Sequence, residues 1–130
     1  MKTLLTFAIA VSFIVFSIPM AQAQSKPPSK VLRHVVLFKF KDSSTPDDVK
    51  KVEEAFAALA GKLPLIKGYE WGKNNSPENL NQGLTHCFLL TFSSDKDRDA
   101  YLIHPDHKAF GKVLGPHLDK VTVVDYWTEP

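Results

Sequence analysis

Five histidines punctuate the chain: His34, His86, His104, His107 and His117. An imidazole with an unperturbed pKa of ~6.5 takes and gives protons near neutral pH. The acid that suits such a base is Asp125, which alternates with Val121, Val123 and Trp127 on one face of a strand-like run. An ionised carboxylate on an interior face needs a partner. His107 is expected to supply it: Asp125 would hold one ring nitrogen and leave the other as a general base. The same pair would serve equally as two buried groups that satisfy each other without chemistry. His34 shares a strand face with Val36 and Phe38, and His86 shares one with Phe88. There they would polarise a carbonyl, hold an anion, or bond to backbone or to a partner subunit. Tyr101 falls in a helical stretch, where it either packs or turns its hydroxyl toward the histidines.

Other chemistries find less support. His104, His107 and His117 lack the third or fourth ligand at a recognised spacing that a zinc site needs, so no metal is expected. His104 stands before Pro105 and is expected to cap a turn. The lone Cys87 excludes an intrachain disulfide framework; it lies on the strand face opposite His86 and reads as a buried, inert thiol. No glycine-rich phosphate loop, nucleophile elbow or basic, aromatic stripe occurs, and the net charge is only +2. Neither a cofactor nor nucleic acid is expected.

The elements that must position these residues follow from periodicity. Leu32–Phe40 alternates β-branched and aromatic residues and predicts a strand. Thr45-Pro46-Asp47-Asp48 predicts a helix start, with Thr45 as N-cap and two aspartates at the positive end of the dipole. Val49, Val52, Phe56, Leu59, Ala60 and Leu63 continue it as an apolar stripe, which Pro64 ends. Residues 66–73 and 85–92 read as strands around a polar loop at 74–83. A second helix is expected from Ser94 to Ile103, broken at His104-Pro105, with a further helical piece to Leu114. Residues 121–127 form the last strand. The order β-α-β-β-α-β predicts an α+β, ferredoxin-like protomer with helices on one face of an antiparallel sheet.

The 130 residues divide unevenly. Lys2, the apolar run from Leu4 to Ile18, Pro19 and Ala21-Gln22-Ala23 have the pattern of a secretory signal peptide. The apolar run is shorter than the ~20 residues of a membrane span. Residues 1–23 are thus expected to be a leader, 24–30 a flexible tether and 31–130 the folded domain. The implied location is secreted or periplasmic, with no stable membrane anchor after cleavage. In the remaining ~100 residues both faces of the first, third and fourth strands carry large apolar side chains, yet helices can cover only one. An exposed apolar sheet face of this kind marks a partner, and a homodimer joined through the sheets is expected.

Several stretches carry a family likeness: His34-Val35-Val36-Leu37-Phe38-Lys39-Phe40-Lys41, Trp71-Gly72-Lys73-Asn74, Gln82-Gly83-Leu84-Thr85-His86, Tyr101-Leu102-Ile103-His104-Pro105-Asp106-His107 and Val123-Val124-Asp125-Tyr126. Together they resemble the stress-responsive A/B barrel (Dabb) family from about Leu32 to Trp127. The resemblance implies a dimeric α+β barrel of two ferredoxin-like protomers. Plant polyketide cyclases of that family perform an aldol condensation without cofactor or metal, in a cavity between sheet and helices. By that likeness His107 matches the general base, His86 a second polar histidine, Tyr101 the helix tyrosine, His34 the first-strand histidine and Asp125 the orienting aspartate. One position departs: the cyclases have a further tyrosine in the first helix where this chain has Phe56, which donates no hydrogen bond. The expected pocket is small and mostly apolar, with His34, Val36, Phe38, Phe56, Phe88, Phe110 and Val123 in contact with a ligand. Three functions follow. The first is an exported, stress-associated domain binding a small apolar or phenolic molecule. The second is a cofactor-independent cyclase or lyase with His107 as base, Asp125 orienting it, and His86 or Tyr101 steadying an enolate-like oxygen. The third is a purely structural oligomer subunit.

Overall fold

Leu32–Phe40 forms β1, and it is central because it buries every second residue. The computed structural model describes residues 30–129; the expected leader and, but for Lys30, the tether lie outside them. The remaining elements are α1 (Pro46–Lys62), β2 (Gly68–Lys73), β3 (His86–Phe92), α2 (Asp95–Ile103), α3 (Pro105–Leu114) and β4 (Leu118–Trp127). The sheet is antiparallel in the order β2-β3-β1-β4. This is the ferredoxin-like α+β protomer expected from the sequence, with its second helix in two pieces.

Local chemistry sets the boundaries. Thr45 caps α1, and its hydroxyl and the Asp48 carboxylate exchange hydrogen bonds with each other's backbone N–H, a full capping box. Ser94 caps α2 by accepting from the Asp97 N–H. His104 has the extended backbone that a residue before proline prefers, and its Nδ1 accepts the Asp106 N–H at 3.1 Å, so it caps α3. β2 begins at Gly68 rather than Ile66, and β4 begins at Leu118 rather than Val121.

Leu32, Val36 and Phe38 of β1 face the helices with Phe88, Leu90 and Phe92 of β3. Val52, Phe56 and Leu59 of α1 and Phe110 and Leu114 of α3 close the core. Phe56 lies at its centre, with ring centroids 4.5 Å from Phe88 and 4.6 Å from Phe110. β4 differs: Val121 and Val123, on the helix side, remain 47% and 50% exposed. The helices pack on the inner strands β1 and β3 and leave the β4 edge half open, and that shortfall opens a cavity.

The opposite sheet face is apolar at Val35, Leu37, Leu89, Val124 and Tyr126, none of which is buried. Cys87 is also on that face and is exposed, which corrects the expectation of a buried thiol. Partial desolvation, and after it the charge of Glu70, pushes its thiol above the usual range.

Candidate active site

The antiparallel register arranges the helix-facing side chains in rows across the sheet. Tyr69, Leu90, His34 and Asp125 form one row; Trp71, Phe88, Val36 and Val123 the next; Lys73, His86, Phe38 and Val121 the third. Rows two residues apart are about 7 Å apart. His34 and Asp125 are therefore neighbours by register, whereas His86 stands about 13 Å further along the sheet.

Asp125 does not pair with His107. Its Oδ1 accepts from His34 Nδ1 at 2.6 Å, and its Oδ2 accepts from Arg98 Nη1 at 2.5 Å. The expectation of an Asp125–His107 pair is corrected: strand pairing sets Asp125 opposite His34, and its other oxygen is taken by Arg98 of α2. His107 is held by its own helix junction: Nδ1 donates to the Leu102 carbonyl at 3.1 Å. That bond fixes the tautomer, so Nε2 carries the lone pair. Desolvation lowers the His107 pKa; the Leu102 carbonyl opposes this, and the nearby His34 adds to it. The ring is thus a neutral base near physiological pH.

Tyr101, on α2 and across the His104 break from His107, is buried with its ring centroid 4.5 Å from His107 and 5.8 Å from His34. Burial, and after it the neighbouring Tyr69, raises its phenol well above the usual range, so it stays protonated and can donate. These three rings, with Asp125, line a cavity of about 300 Å³ between β1, β4, α2 and α3. Val36, Phe38, Phe56, Phe110 and Val123 form its apolar walls.

Two residues expected at this site are elsewhere. Phe88 is fully buried under Phe56 and does not reach the cavity. His86 is occupied by a separate network: Nε2 donates to Glu53 Oε1 at 2.9 Å, and the Thr85 hydroxyl meets Nδ1 at 2.8 Å. Trp71 stacks on its ring at 6.1 Å and Phe40 meets it edge-on. Lys73 adds an ion pair to the same Glu53 oxygen. Burial alone would raise the Glu53 carboxyl; hydrogen bonds from His86 and Lys73 outweigh it and hold the group below the usual range. His86 therefore has no nitrogen to offer a ligand.

Arg98 and Glu53 were not singled out in the sequence, though spacing carried a signal for each. Arg98 precedes Tyr101 by three residues and so shares its helix face, and Glu53 flanks the apolar stripe three residues before Phe56. Tyr69 was also missed. Its hydroxyl is buried without a hydrogen-bond partner among the described residues, and its pKa is pushed up to about 12, by desolvation first and then by Glu53.

Comparison with known proteins accords with this architecture. Residues 32–128 match the Stress responsive A/B Barrel Domain family. The stress-response A/B barrel domain-containing protein HS1 of Arabidopsis thaliana is 39% identical over 95 residues, covering 73% of this chain and 87% of that protein. Olivetolic acid cyclase of Cannabis sativa is 32% identical over 95 residues, covering 73% of this chain and 94% of the cyclase. Among solved structures, hydroxynitrile lyase from Passiflora edulis superposes with a TM-score of 0.73 at 25% identity, over 78% of this chain and 96% of the lyase. A dimeric ferredoxin-like protein of unknown function from Thermobifida fusca gives 0.65 at 28%, over 75% of this chain and 90% of that one. Matched over residues 32–128 by one family, and alike in fold to solved dimeric ferredoxin-like proteins, this chain belongs to the stress-responsive A/B barrel family.

Proposed function

We propose that the protein is an exported, stress-associated homodimer whose protomers each bind a small apolar molecule bearing a phenol, enol or carbonyl group. The observation that carries this reading is the convergence of His34, Tyr101 and His107 on one apolar cavity. A cavity of ~150 Å³ accommodates benzene, so about 300 Å³ suits a substituted ring or a short chain with a polar head. Apolar walls supply most of the affinity, and the few polar groups orient the ligand. The leader-like N-terminus supports export. The exposed apolar sheet face, together with the dimeric state of the Thermobifida fusca neighbour, supports pairing through the sheets.

A second reading is favoured by one observation, the tautomer of His107. With Nδ1 bound to the Leu102 carbonyl, Nε2 is a bare base in a partly desolvated site. Tyr101 stands beside it as a protonated donor. This geometry suits proton abstraction next to a carbonyl, with the Tyr101 hydroxyl stabilising the oxygen on which charge develops. Two relatives bear names of lyase and cyclase type. His86, sequestered by Glu53, takes no part.

A thermal-shift screen of small phenols and aryl ketones tests the binding reading. Stabilisation of the wild type that is lost in His107→Ala is the expected result; equal stabilisation of both proteins would count against contact through that ring. Sedimentation at micromolar concentration is expected to give twice the protomer mass. Exchange of ligand C–H protons with deuterium, present in wild type and absent in His107→Gln, would distinguish chemistry from binding alone.

A further inference from the structure

Tyr101 and His107 stand six residues apart in the sequence. On one continuous α-helix that spacing would turn their side chains about 120° away from each other. In the structure their ring centroids are 4.5 Å apart and both residues line the same cavity. What gathers them is the interruption between them. α2 ends at Ile103, α3 begins at Pro105, and His104 between them has an extended backbone with ψ 139°. Proline disfavours the helical conformation in the residue before it, and that restriction falls on His104.

The interruption also redistributes the backbone hydrogen bonds, and each can be followed. In an unbroken helix the Asp106 N–H would donate to the carbonyl four residues back, that of Leu102. Here the Asp106 N–H donates instead to His104 Nδ1 at 3.1 Å. The His104 N–H turns back to the Tyr101 carbonyl at 3.0 Å, and the His104 carbonyl receives the Lys108 N–H at 3.1 Å. With its helical donor diverted, the Leu102 carbonyl accepts from the side chain of His107 through Nδ1 at 3.1 Å. An imidazole that bonds to the last carbonyls of a helix is a favourable cap. We propose that His104 is the positioning residue of the His107 base: held out of the helix by Pro105, its ring keeps the Asp106 N–H from the Leu102 carbonyl, and the freed carbonyl fixes the His107 ring beside Tyr101 with Nε2 bare. His104 does not line the cavity; it acts through Leu102 and His107, which do. That Nε2 then accepts from a phenol or an enol rests on the binding reading above, whereas the assembly of the two rings does not.

The test is the ring ¹⁵N spectrum of histidine-labelled protein at pH 7.5, with signals assigned by their loss in His104→Asn and His107→Asn. In the wild type His107 should carry its proton on Nδ1 alone and His104 on Nε2 alone. His104→Ala removes the acceptor of the Asp106 N–H, so that N–H competes for the Leu102 carbonyl and His107 should populate both tautomers. His104→Asn, whose side-chain oxygen can cap the same N–H, should restore the single His107 tautomer. A cap that only stabilises α3 predicts a lower melting temperature in His104→Ala with the His107 pattern unchanged, and that result overturns the inference. Should His104→Ala not fold, the wild-type spectrum decides: a proton on Nε2 of His107 or on Nδ1 of His104 overturns the inference, and the expected pair of tautomers supports it. The second measurement is calorimetry with 4-methylphenol. Wild type and His104→Asn should bind alike and His104→Ala about tenfold more weakly, the order of one net hydrogen bond. If the phenol binds none of these proteins while the tautomers still switch, the binding reading fails and the positioning role stands. If it binds all of them equally and no switch occurs, the binding reading stands and this inference falls.

Discussion

Two histidine–carboxylate pairs stand on the helix side of one sheet, two rows apart, and they are built to opposite ends. In the His86–Glu53 pair both ring nitrogens are engaged, the ring is sandwiched by Trp71 and Phe40, and Lys73 meets the carboxylate from outside. In the His34–Asp125 pair one ring nitrogen is spoken for and the ring borders a cavity. The difference lies in coverage rather than in the pair. α1 closes over the β2–β3 side and supplies Glu53 from above. The helices leave Val121 and Val123 of β4 about half exposed, so Asp125 is met by His34 from the strand beside it and by Arg98 from α2, and the space between stays open. A histidine–carboxylate contact is therefore a poor guide to function until its second nitrogen and its ceiling are known.

The comparison can be broken most forcefully at the wall between the two regions. Phe56→Ala would remove the ring that packs on Phe88 and Phe110. We expect a loss of about 3–5 kcal/mol in urea unfolding and disturbance of both pairs. A loss below about 1 kcal/mol would mean that the aromatic cluster does not separate them. Next, the carboxylates themselves should differ. Glu53→Ala leaves a buried imidazole N–H without an acceptor and is expected to cost about 2–3 kcal/mol. Asp125→Ala should cost about 1 kcal/mol, since water entering the open cavity can replace the lost acceptor. Equal costs would mean that the two pairs are covered alike.

Tyr69 offers a change of opposite sign. Its buried hydroxyl lacks a partner among the described residues, so Tyr69→Phe should raise stability by up to about 1 kcal/mol. A loss of similar size would reveal a buried water or ligand group bonded there. The smallest effect belongs to pH. The folded-state pKa of His107 lies below its unfolded value, so the unfolded chain binds more protons just below pH ~6.5. Stability should then fall as pH drops from ~6.5 through the folded-state value and level off below it. Thermal unfolding between pH 7.5 and 5.5 should show this slope in the wild type and a shallower one in His107→Asn.

Much of the fold was legible beforehand because its signals are local. Thr45-Pro46-Asp47-Asp48 caps a helix wherever it occurs, His104-Pro105 divides one, and alternation in Leu32–Phe40 declares a strand with two apolar faces. The cavity residues His34, Tyr101, His107 and Asp125 were legible as types, and the family likeness ordered them. Their partners were not. Residue types alone point Asp125 to His107 and His86 to the pocket, whereas the actual partners depend on which residues stand opposite each other in the sheet. Arg98, Glu53 and Tyr69 drew no notice for the same reason: each looks like an ordinary helix-surface or strand residue until a neighbouring element arrives.

The sequence by itself determined the elements, their order, the family and the chemical inventory of the site, since capping, periodicity and side-chain chemistry act within a few residues. Only the tertiary structure decided who pairs with whom. Register put Asp125 beside His34, α1 brought Glu53 over His86, and the uncovered edge of β4 left one of the two histidine pairs with an open cavity above it. Those outcomes depend on contacts between residues 33 to 91 positions apart, and no local pattern specifies such distances.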